Sequence, residues 1–131
     1  MANPQTTLLE VKRIRGKGRG VFARQPIPEG TVFEVVPLLV IPAREILAQE
    51  EGTFLADYVF EWKKNSVALA LGFGSLYNHS YSPNARYDDH GGQMKSFRAL
   101  RDIAAGEEIT INYNGAEDIL DPVGFDVLEN D

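Results

Sequence analysis

A glycine-rich segment near the start of the chain has the residue types of a ligand-binding loop. It consists of Gly16-Lys17-Gly18-Arg19-Gly20. A dinucleotide-binding loop needs its third glycine three places after the second, and a phosphate-cradling loop needs Ser or Thr after the lysine. Neither condition is met. Glycines at this spacing still let a ligand approach the main chain closely, so the segment is either a ligand contact or a simple hairpin turn.

A second candidate is the polar loop Asn78-His79-Ser80, which is followed by Pro83-Asn84. The triplet matches an N-glycosylation sequon, but residues 1–7 do not have the pattern of a secretory signal, so we expect no glycan there. His79 and His90 are eleven residues apart on predicted loops, and the chain has no cysteine. We therefore predict no bound metal. By itself, His79 is more typical of a structural histidine than of a catalytic base.

A third candidate is the segment from Gly106 to Tyr113, which consists of Gly106-Glu107-Glu108-Ile109-Thr110-Ile111-Asn112-Tyr113. Its β-branched residues predict a strand that follows a turn at Gly106. Tyr113 ends this strand and could present a hydroxyl group to a substrate. Without its surroundings, the default interpretation of such a tyrosine is a half-buried strand residue with its hydroxyl in water.

The elements that must position these residues are mostly short strands. With 131 residues, 44% of them hydrophobic, the chain is predicted to form one domain over 1–131. Strands are predicted at 8–14, 21–23, 31–36, 38–41, 58–62, 67–71, 85–87, 94–100 and 109–113, with a single helix at 43–51. Short strands between Gly/Pro turns predict a mainly β fold.

Charge and composition exclude several classes of function. The formal net charge is −6, which disfavours direct nucleic-acid binding. Residues 1–30 nevertheless hold six basic and two acidic side chains, whereas residues 101–131 hold one basic and nine acidic ones. These patches are either solvated faces or contacts for an anionic ligand and a cationic partner. No apolar stretch is long enough to span a membrane, so we expect a soluble, cytoplasmic protein.

In this order, the three candidate segments resemble the SET-domain family of protein lysine methyltransferases, and most of all its compact bacterial and viral members. The resemblance covers about Leu9 to Tyr113. It implies a β-clip of small curved sheets with one short helix, in which the C-terminal segment is threaded under a loop as a pseudoknot. Residues 72–84 and 109–113 would then form the active site. Residues 9–113 would be the catalytic core, and the acidic tail 114–131 a short segment like a post-SET region.

The resemblance also implies individual roles, with S-adenosylmethionine as cofactor. The early glycine motif and the Asn-His pair of the family contact the cofactor, which transfers these contacts to Gly18, Arg19, Gly20, Asn78 and His79. Tyr58 corresponds to a tyrosine that lines the lysine channel or the cofactor pocket. Tyr113 corresponds to the catalytic tyrosine next to the transferring methyl group, and is thus a cofactor contact as well.

The chain departs from the family pattern at several positions. Asn114 stands where many members have a glycine directly after the catalytic tyrosine, and Ile111 where many have Phe or Tyr, so the number of methyl groups added stays open. Arg19 replaces an aromatic residue of some compact members, which makes it a weaker cofactor contact. The family's zinc-binding flanks are absent, and we expect Phe125, with Val123 and Val127, to cover the cofactor instead.

The function implied by the resemblance is transfer of a methyl group from S-adenosylmethionine to a lysine of a Lys/Arg-rich protein, such as a histone-like tail. One alternative is a non-catalytic SET-fold interaction module, with or without bound cofactor. Another is methylation of a small or non-lysine substrate. A homodimer that uses the aliphatic stretch from Val35 to Ile41 is a further expectation, because a small core gains stability by association.

Overall fold

The computed structural model describes residues 8–16, 18–47, 53–115 and 120. These residues form nine β-strands, one short α-helix and one turn of 3₁₀-helix. In chain order the elements are β1 (Leu9–Ile14), β2 (Gly18–Ala23), β3 (Val32–Pro42), α1 (Ala43–Leu47), the 3₁₀ turn (Phe54–Tyr58), β4 (Val59–Glu61), β5 (Ser66–Ala70), β6 (Asn78–His79), β7 (Ala85–His90), β8 (Met94–Ala99) and β9 (Glu108–Ile111). The predicted mainly β fold with a short helix is therefore confirmed.

The strands form two sheets. The first has the order β1-β2-β9-β6, and the second has the order β4-β5-β3-β8-β7. All strand pairs are antiparallel except β6 and β9, which run parallel, with Asn78 opposite Thr110 and His79 opposite Ile111. Strand β9 thus lies between a strand from the start of the chain and a strand of the polar loop.

The glycine-rich segment forms the turn between β1 and β2 and the start of β2. Gly16 has φ of +84° and Gly18 has φ of +82°, in the left-handed region that L side chains rarely adopt. Val21 and Ile109 are opposite each other where β2 pairs with β9. The hairpin therefore brings its glycines close to the C-terminal strand.

The prediction of two strands separated by Pro37 is wrong. Strand β3 is continuous from Val32 to Pro42 and changes its neighbour at the proline. Pro37 ends the pairing with β8, opposite Met94, and Leu38 begins the pairing with β5, opposite Ala70. Because proline has no N–H to donate, it is tolerated at this change of partner.

Other element boundaries also differ from the prediction, since β2 already starts at Gly18 and β7 extends to His90. Tyr58 was expected to begin a strand, but it ends the 3₁₀ turn, and β4 starts at Val59. The helix begins at Ala43 as expected and is described as far as Leu47. No helix within 8–16, 18–47 and 53–115 is long and apolar enough to cross a bilayer.

A single hydrophobic core is shared by the two sheets. Val21, Ile109 and Ile111 of the first sheet belong to the same buried cluster as Phe97 of the second. Tyr77, on the segment that leads into β6, is 1% exposed and packs against Phe97 with ring centroids 4.6 Å apart. The core therefore holds the start of the polar loop in place through Tyr77.

The end of β9 runs directly beside the polar loop. The N–H of Ser80 donates to the carbonyl of Ile111 at 2.9 Å, and the N–H of Tyr113 donates to Nδ1 of His79 at 2.9 Å. These contacts join residues more than thirty positions apart in the chain. The two segments that the resemblance assigned to the active site are therefore adjacent.

Candidate active site

A cavity of about 790 Å³ opens between the β1–β2 hairpin, the 3₁₀ turn and the polar loop. This volume is in the usual range for a small-molecule site. Five of the residues expected at the site line it, namely Gly18, Arg19, Tyr58, Asn78 and Tyr113. The remaining lining residues are Arg13, Ile14, Arg15, Gly16, Phe54, Asp57, Ser75 and Leu76.

Tyr113 is held at this cavity by both its main chain and its hydroxyl group. The hydroxyl donates to the carbonyl oxygen of Tyr77 at 2.6 Å. The ring makes edge contacts with His79 at 5.1 Å and with Phe60 at 6.5 Å between centroids. Because the hydroxyl proton is used by Tyr77, the lone pairs of the oxygen are the part of the group that can accept a hydrogen bond from a ligand.

The Tyr113 hydroxyl stays protonated near neutral pH. Burial raises the pKa of Tyr113 well above its usual value, and the neighbouring Tyr58, Glu108 and Asp57 raise it further. A phenolate would therefore be a very minor species. The group can orient a substrate but is poorly suited to remove a proton from it.

The Asn78 side chain joins the hairpin to β9. Its Nδ2 donates to the carbonyl of Arg19 at 2.9 Å and to Oε2 of Glu108 at 2.7 Å. Both amide hydrogens are therefore occupied. The carbonyl oxygen Oδ1 is the atom that Asn78 can offer to a donor on a ligand, such as an ammonium group.

Gly20 is buried and is not among the cavity-lining residues, in contrast to Gly18. A Cβ at this position would lie 2.8 Å from Nδ2 of Asn78 and 2.6 Å from Cδ1 of Ile14, and closer still to Oε2 of Glu108. The glycine thus leaves room for the Asn78–Glu108 pair. Its contribution to a ligand site is indirect, through the position of Asn78.

The His79 side chain is also not among the cavity-lining residues. It is 3% exposed, and its Nδ1 accepts the N–H of Tyr113. That bond requires Nδ1 to be unprotonated, so the proton of the neutral ring is on Nε2. In the described residues, His79 therefore positions the main chain of Tyr113.

Two buried asparagines that the sequence did not assign a role also support the site. Asn84 donates to the carbonyl of Glu108 at 2.7 Å and accepts the N–H of Thr110 at 2.9 Å. Asn112 is 3% exposed, and its Oδ1 accepts the N–H of Asn114 at 2.9 Å. The Pro83-Asn84 pair marks Asn84 in the sequence, but its hydrogen-bond partners on β9 are more than twenty residues away and could not be predicted from that pair.

The sequence patterns also gave no indication of a buried carboxylate beneath the site. Glu34 is 1% exposed, and it accepts the Tyr77 hydroxyl at 2.6 Å and the N–H of Phe73 at 2.8 Å. Burial raises the pKa of Glu34, which these two hydrogen bonds oppose. Glu34 thus fixes the segment whose Tyr77 carbonyl binds the Tyr113 hydroxyl.

The other expected site residues have different outcomes. Phe125, Val123 and Val127 lie outside the described residues. Ile111 is fully buried in the core and does not line the cavity. Within 8–16, 18–47, 53–115 and 120, no group of three His, Cys, Asp or Glu side chains could hold a metal ion.

Comparison with known proteins identifies the family. The SET domain model matches residues 18–114, so the chain belongs to the SET domain family. Its class is that of the protein-lysine methyltransferases. SET methyltransferases generally use S-adenosylmethionine.

Several relatives support this classification. A Schizosaccharomyces pombe histone-lysine N-methyltransferase specific for H3 lysine-37 is 38% identical over 80% of this chain and 72% of its own length. The Caenorhabditis elegans histone-lysine N-methyltransferase Suv4-20 is 31% identical over 82% of this chain, but only 39% of that protein is covered. A crystal structure of a Plasmodium falciparum protein described as a candidate histone methyltransferase superposes with a TM-score of 0.67 at 32% identity, covering 80% of this chain and 91% of that one.

Proposed function

We propose that this protein transfers a methyl group from S-adenosylmethionine to the side-chain amine of a lysine in a basic protein. The observation that carries the proposal is the Tyr113 hydroxyl, fixed on the Tyr77 carbonyl at 2.6 Å beside a cavity of about 790 Å³. A protonated hydroxyl held at the edge of the cavity suits a group that orients an amine.

The donor set of the cavity fits the cofactor. S-adenosylmethionine, when bound, supplies an electrophilic methyl group on a sulfonium. The guanidinium groups of Arg13, Arg15 and Arg19 suit its carboxylate, and Oδ1 of Asn78 suits its amino group. The rings of Phe54 and Tyr58 suit an adenine base and a positive charge.

The residues of the chain have to position and desolvate the lysine amine. A lysine with a pKa of about 10.4 is neutral about once in a thousand times at pH 7, so freeing the amine costs roughly 4–5 kcal/mol. The aromatic rings of Phe54, Tyr58 and Tyr113 that line the cavity lower that cost, because desolvation disfavours the ammonium. The Tyr113 oxygen then accepts an N–H of the neutral amine and directs its lone pair, so positioning supplies most of the rate enhancement.

The substrate that the chemistry favours is a Lys/Arg-rich protein segment, such as a histone-like tail. Asp57 lines the cavity and places a carboxylate near Tyr113 and Tyr58. Residues 101–131, with one basic and nine acidic side chains, add negative charge that attracts cationic side chains. The relatives from fission yeast and nematode are histone-lysine methyltransferases, which supports the same kind of substrate.

The proposal extends to the acidic tail 114–131 as a short segment that covers the cofactor. Tyr113 lines the cavity, and the Gly115 N–H donates to the carbonyl of Asn112 at 3.0 Å in a turn. The tail thus starts at the edge of the cavity. Phe125, with its apolar neighbours Val123 and Val127, is the residue proposed to cover it.

Cofactor binding is the first expected result. We expect the protein to bind S-adenosylmethionine and its demethylated product with saturable heat in a calorimetric titration. Asn78→Ala should weaken binding about tenfold or more, because one polar contact of this kind contributes about 1–3 kcal/mol. Mass spectrometry after incubation with cofactor and a panel of basic proteins then reports methyl transfer.

The outcomes of this experiment separate the candidate functions. Binding together with methylated lysine in a basic protein supports the proposal. Binding without transfer to any basic protein would favour the non-catalytic interaction module. An absence of saturable heat up to millimolar cofactor would contradict the methyltransferase proposal and would also favour the interaction module.

A homodimer is a second proposal, supported by an apolar stripe on β3. Val35 and Leu39 are 47% and 53% exposed, on the same face as the exposed Pro37. We expect sedimentation at tens of micromolar to give a species of twice the 14.5 kDa chain mass, and Leu39→Lys to return it to the monomer. A wild type that sediments only as 14.5 kDa would contradict this proposal.

A further inference from the structure

Lys95 on β8 has a completely buried ammonium group. Its side chain is 0% exposed, whereas lysines are almost never fully buried unless they are paired. Nζ lies 2.5 Å from Oδ1 of Asp89 on the neighbouring strand β7. Burial lowers the pKa of Lys95, and the hydrogen bond to Asp89 opposes that shift.

Two aromatic rings complete the surroundings of this ammonium. Nζ is 4.1 Å from the ring centroid of Phe60 and 3.8 Å from that of Tyr87. Both distances are in the range of favourable cation–π contacts. We call Phe60, Tyr87 and Asp89 together the ammonium cage.

The cage joins the two edges of the five-stranded sheet. Phe60 is on β4 and Tyr87 on β7, which are the first and last strands of that sheet. Their rings nevertheless approach to 5.0 Å between centroids, so the sheet is curled. The Lys95 ammonium contacts both rings and thereby connects the two edges.

Both rings of the cage also contact Tyr113. The Tyr87 hydroxyl donates to the Tyr113 carbonyl at 3.1 Å, and the Phe60 ring packs edgewise on the Tyr113 ring at 6.5 Å. Burial, with Asp89 and Glu61 nearby, raises the pKa of Tyr87 to about 12, so its hydroxyl remains a donor at neutral pH. The main chain and ring of Tyr113 therefore depend on where these two rings lie.

We propose that Lys95 is a positioning residue for the methyl transfer. Its ammonium holds Phe60 and Tyr87 together, and these rings fix Tyr113 in the orientation that aligns the substrate amine. The inference rests on the proposed function for its kinetic consequence, but its structural part concerns the free protein alone.

The charge of Lys95 can be removed without leaving another charge stranded. Asp89 has a side chain that is 46% exposed, so water can solvate it once its partner is gone. Methionine has a similar length and suits an apolar, aromatic site. Replacing a buried charge with a well-packed apolar side chain is often neutral or stabilising. We therefore expect Lys95→Met to fold, so that any change in the variant reports the loss of the ammonium charge.

The experiment combines a spectrum of the free protein with kinetics. The five tyrosines are labelled with ¹³C in the ring, and the signals of Tyr87 and Tyr113 are assigned from Tyr→Phe variants. We expect Lys95→Met to keep or raise the melting temperature and to shift both signals. Turnover should fall about tenfold, with KM for the cofactor unchanged within twofold. Lys64→Met, at an exposed lysine of the turn between β4 and β5, is the matched control and should change neither.

A chemical rescue isolates the ammonium. The chain has no cysteine, so Lys95→Cys can be alkylated with 2-bromoethylamine in denaturant and refolded, which restores an ammonium at the same distance from the main chain. The alkylated protein should recover the wild-type Tyr113 signal and most of the turnover. The unmodified Lys95→Cys protein should not.

The outcomes distinguish this inference from the proposed function. Unshifted Tyr87 and Tyr113 signals in folded Lys95→Met, or turnover within twofold of wild type, would overturn it. If Lys95→Met does not fold, Tyr87→Phe provides the test. An unshifted Tyr113 signal and unchanged turnover in Tyr87→Phe would show that Tyr113 does not depend on Tyr87, and would overturn the inference. A wild type without any transferase activity would contradict the proposed function, and the tyrosine spectrum would still decide the role of Lys95.

Discussion

Tyr113→Phe is expected to give a folded, cofactor-binding protein whose turnover is lower by about 10²–10³. The substitution removes the hydroxyl that bonds to the Tyr77 carbonyl at 2.6 Å and leaves the ring contact with His79 intact. The loss of folding free energy should be at most about 1–2 kcal/mol, which is the scale of losing the hydrogen bond to the Tyr77 carbonyl. Cofactor affinity should change little, since the arginines, Asn78 and Gly18 make most of the expected contacts.

Thermal unfolding, calorimetry with cofactor and single-turnover rates measure the three parts of this result. Retention of more than about a tenth of the wild-type turnover would reduce Tyr113 to a wall of the cavity. The positioning role would then move to Tyr58, which lines the same cavity. Tyr77 is not an alternative, because its buried hydroxyl already donates to Glu34 at 2.6 Å.

Gly20→Ala should be the most damaging small substitution in the hairpin. Its Cβ would lie under 3 Å from Asn78 Nδ2 and from Ile14 Cδ1. Overpacking of this kind typically costs about 1–3 kcal/mol. Displacement of Asn78 would also move its Oδ1, so we expect cofactor affinity to fall about tenfold or more, as for loss of one polar contact. Chemical denaturation and calorimetry measure the two effects.

Gly91→Ala is the matched control for this substitution. Gly91 lies in the turn between β7 and β8, and a Cβ there would meet nothing within 4 Å. We expect unchanged stability and unchanged affinity. If Gly20→Ala behaved like Gly91→Ala, the Asn78–Glu108 pair would not depend on close contact with Gly20.

Local sequence patterns predicted the class of fold and picked out segments that line the cavity, but they did not predict the polar groups beneath it. Glu34 shows why. A glutamate in a strand is expected to face water, since alternate residues point to opposite faces. The register of β3 against β8 shifts between Val32 and Glu34, so both Phe33 and Glu34 are buried. Such a bulge depends on the partner strand and has no signal in the strand itself.

Lys95 was unpredictable for a similar reason. Its burial depends on the Phe60 ring of β4, which is distant in sequence, and on the Tyr87 ring of the neighbouring strand β7. By contrast, Tyr113 and Asn78 could be predicted because they belong to short motifs whose order along the chain is distinctive. His79 contacts the main chain of Tyr113 because β6 pairs in parallel with β9. No local pattern in the sequence indicates this pairing.

The position of β9 between β2 and β6 also determines when the site can exist during synthesis. Val21 of β2 cannot pair with Ile109 of β9 until Ile109 has been synthesised, 88 residues later. Until then β2 presents an open edge, and open edges are prone to pair with other chains. Long-range pairing of this kind makes folding slow, because the closure entropy of the loop is lost before any contact compensates for it. The nascent chain thus lacks the cavity that Asn78 and Tyr113 line until β9 is in place.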